Sequence, residues 1–294
     1  MTDALSELAS AAARAHRAHL PPALPSAPLA RDLLLLASGV RSAVLWDHWA
    51  LADGDGDNAG FEGVGAPLTA EHVCRFVSAL RESAAAARPL ALVAVGPSLF
   101  LAHSELLARR LRAEEAAGDA AAALSDLVAA DEALPAPRAC TADERARVCA
   151  AVGDCRRRLL EALAAAASER GGEAPLIRLA APPGGLLVAI HGWLLEYPVV
   201  YCLGLERAAA AAAAANCLGG QPLVLLRLTA RHPPEPEPQL VCAFSLPVCV
   251  VDAPPLERPS VDRWWRALQA RLAASSWIGA ALDVEAVTLP VVAL

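Results

Sequence analysis

Five short runs decide the fold class: 175-PLIRL-179, 186-LLVAIH-191, 198-PVVYCL-203, 222-PLVLLRL-228 and 240-LVCAFSL-246. Each is apolar, each is bounded by Pro, Gly or charged residues, and together they read as consecutive buried or half-buried strands. The alanine tract at 208–215 and the loop 232-HPPEPEP-238 interrupt the series. A helix beginning at Ser260 follows, with Trp264, Leu268 and Leu272 on one face, and 284-VEAVTLPVVAL-294 reads as a closing strand. Toward the N-terminus the pattern is helical over 2–19 and 28–38, with 21-PPALPSAP-28 as the break. The runs 43-AVLWD-47 and 90-LALVAV-95 read as buried strands. The helix between them is capped by Thr69, with Val73, Val77 and Leu80 at i, i+4 and i+7. This helix–strand alternation suggests a wound α/β arrangement in the first half. Residues 99–134 read as mostly helical. Thr141 and Glu144 form a T-x-x-E capping box for a helix whose face carries Val148, Val152, Cys155, Leu159 and Leu163 and which stops at 171-GG-172. The expected architecture is α+β: a single domain over 1–294, its mixed, mostly antiparallel sheet in the C-terminal half flanked by helices from the N-terminal half. Insertions are expected at about 52–66 and 207–220.

Composition narrows the function classes. The 294 residues are 56% hydrophobic, enough for a sizeable core and too apolar for a disordered chain. No lysine occurs, so all 25 basic residues are arginines; with the heavy alanine usage this resembles the codon bias of a GC-rich genome, and single Arg or Ala positions carry little weight. A net charge of −7 argues against nucleic acid, which needs a basic face to displace counterions. The basic runs 107-LARRLR-112 and 156-RRRLLEAL-163 read as solvated helix faces. Eight scattered cysteines without a C-x-x-C pair indicate neither zinc nor a disulfide scaffold. Cys74, Cys149, Cys155, Cys202, Cys242 and Cys249 have apolar neighbours and read as reduced core thiols. The longest apolar run, 179–205, is broken by Pro182, Pro183, Gly184, Gly185, Gly192 and Pro198, so no membrane span is expected. The start, with Asp3 and Glu7, lacks a secretory signal; the acid-free stretch 10–31 has a transit-peptide composition, but the early acids favour a cytoplasmic protein.

Three stretches, 33-LLLLASGVRSAVLWD-47, 191-HGWLLEYPVVYCL-203 and 287-VTLPVVAL-294, resemble an uncharacterised eukaryotic family that carries a provisional, unknown-function name. The likeness spans almost the whole chain; the loop at 52–66 and the tract at 208–215 depart from the family's pattern. The resemblance implies an intracellular protein without assigned activity or catalytic residues.

The chemistry-bearing motifs are each broken at a position the mechanism needs. In 53-DGDGDNAGFEGVG-65, Asp53, Asp55 and Asp57 fit the first three oxygen positions of a calcium loop, but Asn58 stands where the glycine turn belongs and Val64 where the bidentate glutamate closes the site. In 95-VGPSLFLAH-103, Ser98 has Phe100 in place of the second glycine of a nucleophile elbow and Pro97 beside it, so a helix N-cap is the plainer role. His191 and Glu196 share one segment and can do acid–base work only if they face a pocket. Asp47 ends a strand, where wound sheets bind ligands. No G-x-G-x-x-G, P-loop or H-E-x-x-H occurs, so no cofactor and no metal are expected. Trp264 and Trp265 sit among Arg263 and Arg266, residue types enriched at interaction hot spots. The expected function is a non-enzymatic protein-interaction or scaffold domain presenting the helix at 260–276 to a protein partner. The alternative is a small-molecule hydrolase or transferase using Asp47, Ser98, His191 and Glu196 at strand ends.

Overall fold

A computed structural model of the chain describes residues 2–22, 24–47, 68–117, 126–131, 134–168, 173–182, 185–203, 217–233, 235–250 and 257–290. In chain order the elements are α1 (Thr2–His19), α2 (Ser26–Ala37), β1 (Ala43–Leu45), α3 (Ala70–Ser83), β2 (Leu90–Val95), β3 (Ser98–His103) and α4 (Ser104–Ala116). Then come β4 (Asp126–Ala130), β5 (Arg138–Ala139), α5 (Ala142–Ser168), β6 (Leu176–Leu179), α6 (Leu186–Leu194) and β7 (Val199–Leu203). The last elements are β8 (Pro222–Arg231), β9 (Gln239–Pro247), α7 (Pro259–Ala273) and β10 (Ile278–Thr288). Helices and mixed or antiparallel sheets make this an α+β protein, as the sequence leads one to expect. Among the described residues no helix is long and apolar enough to cross a membrane.

The chain divides into two compact units, residues 1–109 with 159–180 and residues 110–158 with 181–294. In the first, a sheet of order β1-β3-β2-β6 is antiparallel except for β2–β6, so it is not wound as the helix–strand alternation suggested. Its core is built from the apolar faces of α1–α3 and the inner strand residues, among them Leu8, Leu33, Phe76, Leu80, Leu92 and Leu101. The segment after residue 95 differs from its expected helix. Val95 and Ser98 are paired across a two-residue turn in which Gly96 has φ 56, and Ser98–His103 returns as β3. A glycine with positive φ followed by proline is the chemistry of a tight hairpin turn, and Leu99, Phe100, Leu101 and Ala102 are then all buried in the sheet.

In the second unit one sheet has the order β5-β4-β7 and another β10-β8-β9. The expected strand at 186–191 is the helix α6, with eight of its nine residues buried. A continuous apolar run suits a buried helix as well as a buried strand, and periodicity cannot separate them. Two glycines set α6 against β7. A Cβ on Gly185, just before α6, would stand 1.2 Å from the Leu203 carbonyl oxygen, and one on Gly192 3.3 Å from the Val200 methyls. The capping box of α5 is as expected: Thr141 N–H donates to Glu144 Oε2 (2.7 Å) and Glu144 N–H to Thr141 Oγ1 (3.2 Å). Arg138 forks onto the same carboxylate at 2.7 and 2.8 Å and, with the Thr141 contacts, holds its pKa down to about 2. The start of α7 is fixed differently from expectation. Pro259 occupies its first turn, and the Ser260 hydroxyl donates to Asp126 of β4, which Arg258 also grips at 3.0 Å. Trp264, Leu268 and Leu272 face inward as the spacing predicts. β10 is an edge strand exposed along almost its whole length, Ile278 and Val284 included. None of the eight cysteines is in a disulfide; Cys155, Cys202 and Cys242 are buried, whereas Cys249 is exposed, not in the core.

The glycines make a paired test of this packing. Gly153, inside α5, has nothing within 4 Å of a built Cβ. Gly153→Ala should raise unfolding stability by about 0.5–1 kcal/mol by removing helix-interior flexibility. Gly185→Ala should lower it by several times that amount, since backbone must move. Urea unfolding followed by circular dichroism gives both signs.

Candidate interaction cleft

The turn that ends α6 builds the site. Glu196 N–H bonds to Trp193 O (3.1 Å) and Tyr197 N–H to Gly192 O (2.9 Å), the paired bonds of a Schellman stop. That motif puts the residue after the cap in the left-handed region, where glycine is usual; here it is Glu196, at φ 57. Such a conformation costs of order 1 kcal/mol for a residue with a Cβ. The side chain thereby projected is held by two arginines. Arg271 of α7 grips it as a fork, Nη2 to Oε2 at 2.8 Å and Nη1 to Oε1 at 3.1 Å, and Arg110 of α4 lies 3.7 Å away.

Arg110 is the centre of a second set of contacts. Its Nη1 donates to the carbonyls of Leu194 (3.1 Å) and Trp193 (3.3 Å), placing a cation at the negative end of α6. Its guanidinium carbon lies 5.3 Å from the centre of the Trp193 ring, within cation–π range. Glu114, one turn along α4, takes the Trp193 indole N–H at 3.0 Å and lies 3.3 Å from Arg110 Nε. Arg110 Nη2 is buried and has no hydrogen-bond acceptor among the described residues. Beyond these groups opens a cleft of about 370 Å³, its far wall formed by Ser260, Arg263, Trp264, Ala267 and Arg271 of α7. Trp264 packs edge-on against Phe244 with ring centres 5.0 Å apart, and Tyr197 stands 6.0 Å from the same Phe244 ring. Trp265 is half-buried beside Trp264, so one tryptophan of the pair enters the core and the other reaches the surface.

A larger cleft of about 710 Å³ in the first unit is lined by Glu71, Cys74, Arg75, Ser78, Arg81 and Glu173, among others. Its reactive groups serve the fold. Ser78 Oγ donates to Cys74 O and accepts from Ala174 N–H, Arg81 donates to Leu90 O, and burial raises the Cys74 thiol, disfavouring thiolate.

Of the four residues proposed for acid–base or nucleophilic work, only Glu196 lines the α6–α7 cleft. Asp47 and Ser98 belong to the first unit, at the same end of the β1–β3 pair, where Trp46 N–H donates to Leu99 O at 2.8 Å. Asp47 is exposed, and Ser98 opens a strand instead of capping a helix. His191 lies inside α6, not at a strand end, and burial pushes its pKa from 6.5 down to about 4. Asp53, Asp55 and Asp57 lie outside the described residues; among those described, no three His, Cys, Asp or Glu side chains gather as metal ligands would. Arg110, Glu114, Trp193, Tyr197 and Arg271 are the site residues that sequence reasoning missed. The i, i+4 pair Arg110–Glu114 and the Arg263/Ala267/Arg271 stripe were the available signals.

A family model matches residues 61–294, most of the chain. The protein belongs to the family described as a domain of unknown function, DUF4504. The DUF4504 match contains both cleft helices and the resembling stretches at 191–203 and 287–294, while 33–47 precedes it. An expected family without assigned activity is thus borne out. No curated protein and no solved structure matches the chain.

Two outcomes follow from this geometry. Glu196→Gly and Glu196→Ala both lose the ion pairs, but the glycine variant should be the more stable by about 1 kcal/mol, because only it is at ease at φ 57; thermal unfolding of the two side by side measures the difference. For His191 the folded pKa lies below the unfolded one, so the unfolded state binds the extra proton. Stability is therefore full above pH 6.5 and declines as pH falls toward 4, by roughly 2–3 kcal/mol at most. Denaturation midpoints from pH 7 to 4 should fall less for His191→Gln than for wild type.

Proposed function

We propose that this chain is a non-enzymatic protein-interaction domain whose contact surface is the α6–α7 cleft and the exposed side of α7. The observation that carries the reading is the lining: Trp193, Tyr197 and Trp264 converge with Arg110, Arg263 and Arg271 in one cleft. Aromatic residues are only 4% of the sequence, so three in one cleft is a concentration. Trp, Tyr and Arg are the types that dominate interaction hot spots, since they supply large contact area, a hydrogen-bonding end and charge at low entropic cost. Glu196, whose carboxylate is engaged by Arg271 at 2.8 Å, orders this surface instead of offering a free base. Eight cysteines, none of them in a disulfide, support a reducing compartment and hence a cytoplasmic location.

Ala267 lies exposed in the middle of the α7 wall, so Ala267→Glu changes the surface without touching the core. Affinity capture from a cytosolic extract should retain a set of proteins on the wild-type chain and on an Arg231→Glu control, and lose that set from Ala267→Glu. Equal retention by all three would contradict the reading.

A further inference from the structure

We propose that the α6–α7 cleft binds an acidic peptide segment of a partner protein, one ligand carboxylate on Arg263 and an adjacent apolar side chain against Tyr197, beside the buried Trp264. The proposal rests on the interaction reading above and names the ligand's chemistry.

Charge is the first argument. In the cleft the guanidiniums of Arg110, Arg263 and Arg271 face the carboxylates of Glu114 and Glu196, so it carries one surplus positive charge in a chain of net charge −7. The surplus is located. Arg271 and Arg110 are engaged by Glu196 and Glu114, whereas Arg263 is exposed and has no ion pair among the described residues. Arg110 Nη2, buried without an acceptor among the described residues, adds a donor that a ligand oxygen reaching it would satisfy. The cleft also displays the recognition chemistry on itself, since Arg271 already holds a carboxylate in a fork.

Shape is the second. Ser260, Trp264, Ala267 and Arg271 stand at i, i+4, i+7 and i+11, one stripe along α7. At 1.5 Å per residue the stripe is about 16 Å long. An extended peptide rises about 3.3 Å per residue, so the wall spans roughly five ligand residues. Ala267, the smallest of these side chains, leaves room midway. A single carboxylate matches the surplus charge, whereas a dianionic phosphate would meet Glu114 and Glu196 with Arg263 the one cleft arginine that has no ion pair among the described residues. A nucleic acid would need many more free cations.

Selection from displayed random twelve-residue peptides against the full chain, with counter-selection on Arg263→Glu, tests this. Arg263 is exposed, so the variant keeps its fold, which its melting temperature verifies. Selected peptides should be enriched in Asp or Glu next to an apolar residue. A synthetic representative, titrated by calorimetry, should bind Arg263→Glu at least about tenfold more weakly and Arg231→Glu unchanged. Changing its acid to the amide should weaken it similarly. Arg263-dependent peptides without excess acids would overturn the ligand class and leave the interaction reading standing. A phosphoserine peptide binding tenfold tighter than its glutamate counterpart would move the ligand to a phosphopeptide and overturn the proposal. A selection that yields no peptide dependent on Arg263 or sensitive to Ala267→Glu would overturn both the proposal and the interaction reading.

Discussion

For α6 to give way to β7, the backbone at Glu196 must pass through the left-handed region, and the cleft is a consequence of that reversal. The helix lies tight on the strand that follows because Gly185 and Gly192 present no side chain to Leu203 and Val200. With the helix pinned so closely, only a short turn can join the two, and the Schellman stop supplies it. A glycine at position 196 would relieve the strain. A glutamate instead sends a carboxylate outward, where Arg271 and Arg110 meet it, and the ion pairs offset the conformational cost.

Those ion pairs are half-buried, which decides how they matter. The side chains of Arg110, Glu114 and Glu196 are each about one-sixth exposed, and that of Arg271 about one-third. Charges in that setting are desolvated enough for geometry to count, while their net contribution to stability stays modest because desolvation offsets attraction. What such a network does provide is orientation. Arg110 is anchored from three directions, by the α6 carbonyls, the Trp193 ring and Glu114, and so holds two helices and an aromatic ring in one arrangement. At the far end of α7, Asp126 does similar work by accepting from Ser260 and Arg258. A helix tied at both ends offers a fixed wall, and a surface already ordered loses little entropy when it binds.

Legibility in the sequence followed local chemistry. Where local chemistry is specific, the sequence is decisive: Thr141 and Glu144 cap α5, and Trp264, Leu268 and Leu272 face inward. Where the run is apolar throughout, the pattern does not separate strand from helix: 90–95 and 199–203 are strands as they read, whereas 186–194 is a helix. LLVAIH is buried on nearly every side, so neither period 2 nor period 3.6 leaves a mark, and its sequence reads as a strand while it folds as a helix. SLFLAH reads as helical because Ser98 after Gly-Pro resembles a cap, but the Gly96 turn and the β2 register make it a strand. Of the cleft, Glu196 and Trp264 stand out in the sequence, but the arginines that define it come from two stretches far apart in sequence, Arg110 on α4 and Arg263 and Arg271 on α7. Their convergence depends on long-range packing that no local pattern encodes.

Arg263 and Arg266 sit on the same exposed side of one helix and differ in a way that the sequence itself explains. Arg266 has Asp262 four residues before it and pairs with that carboxylate at 2.8 Å. Arg263 has Pro259 and Ala267 at the same spacings and Ser260 and Arg266 at three, so helical geometry offers it no acid. An exposed, unpaired arginine is ordinary on a basic protein, where cations outnumber the carboxylates available. On a chain with seven more acids than bases it is not forced by composition. Arg263, which has no ion pair among the described residues, lies in the cleft wall beside Trp264 and the exposed Ala267. On the proposed interaction reading, electrostatic complementarity sets the sign of the ligand and the aromatic lining favours an apolar part as well.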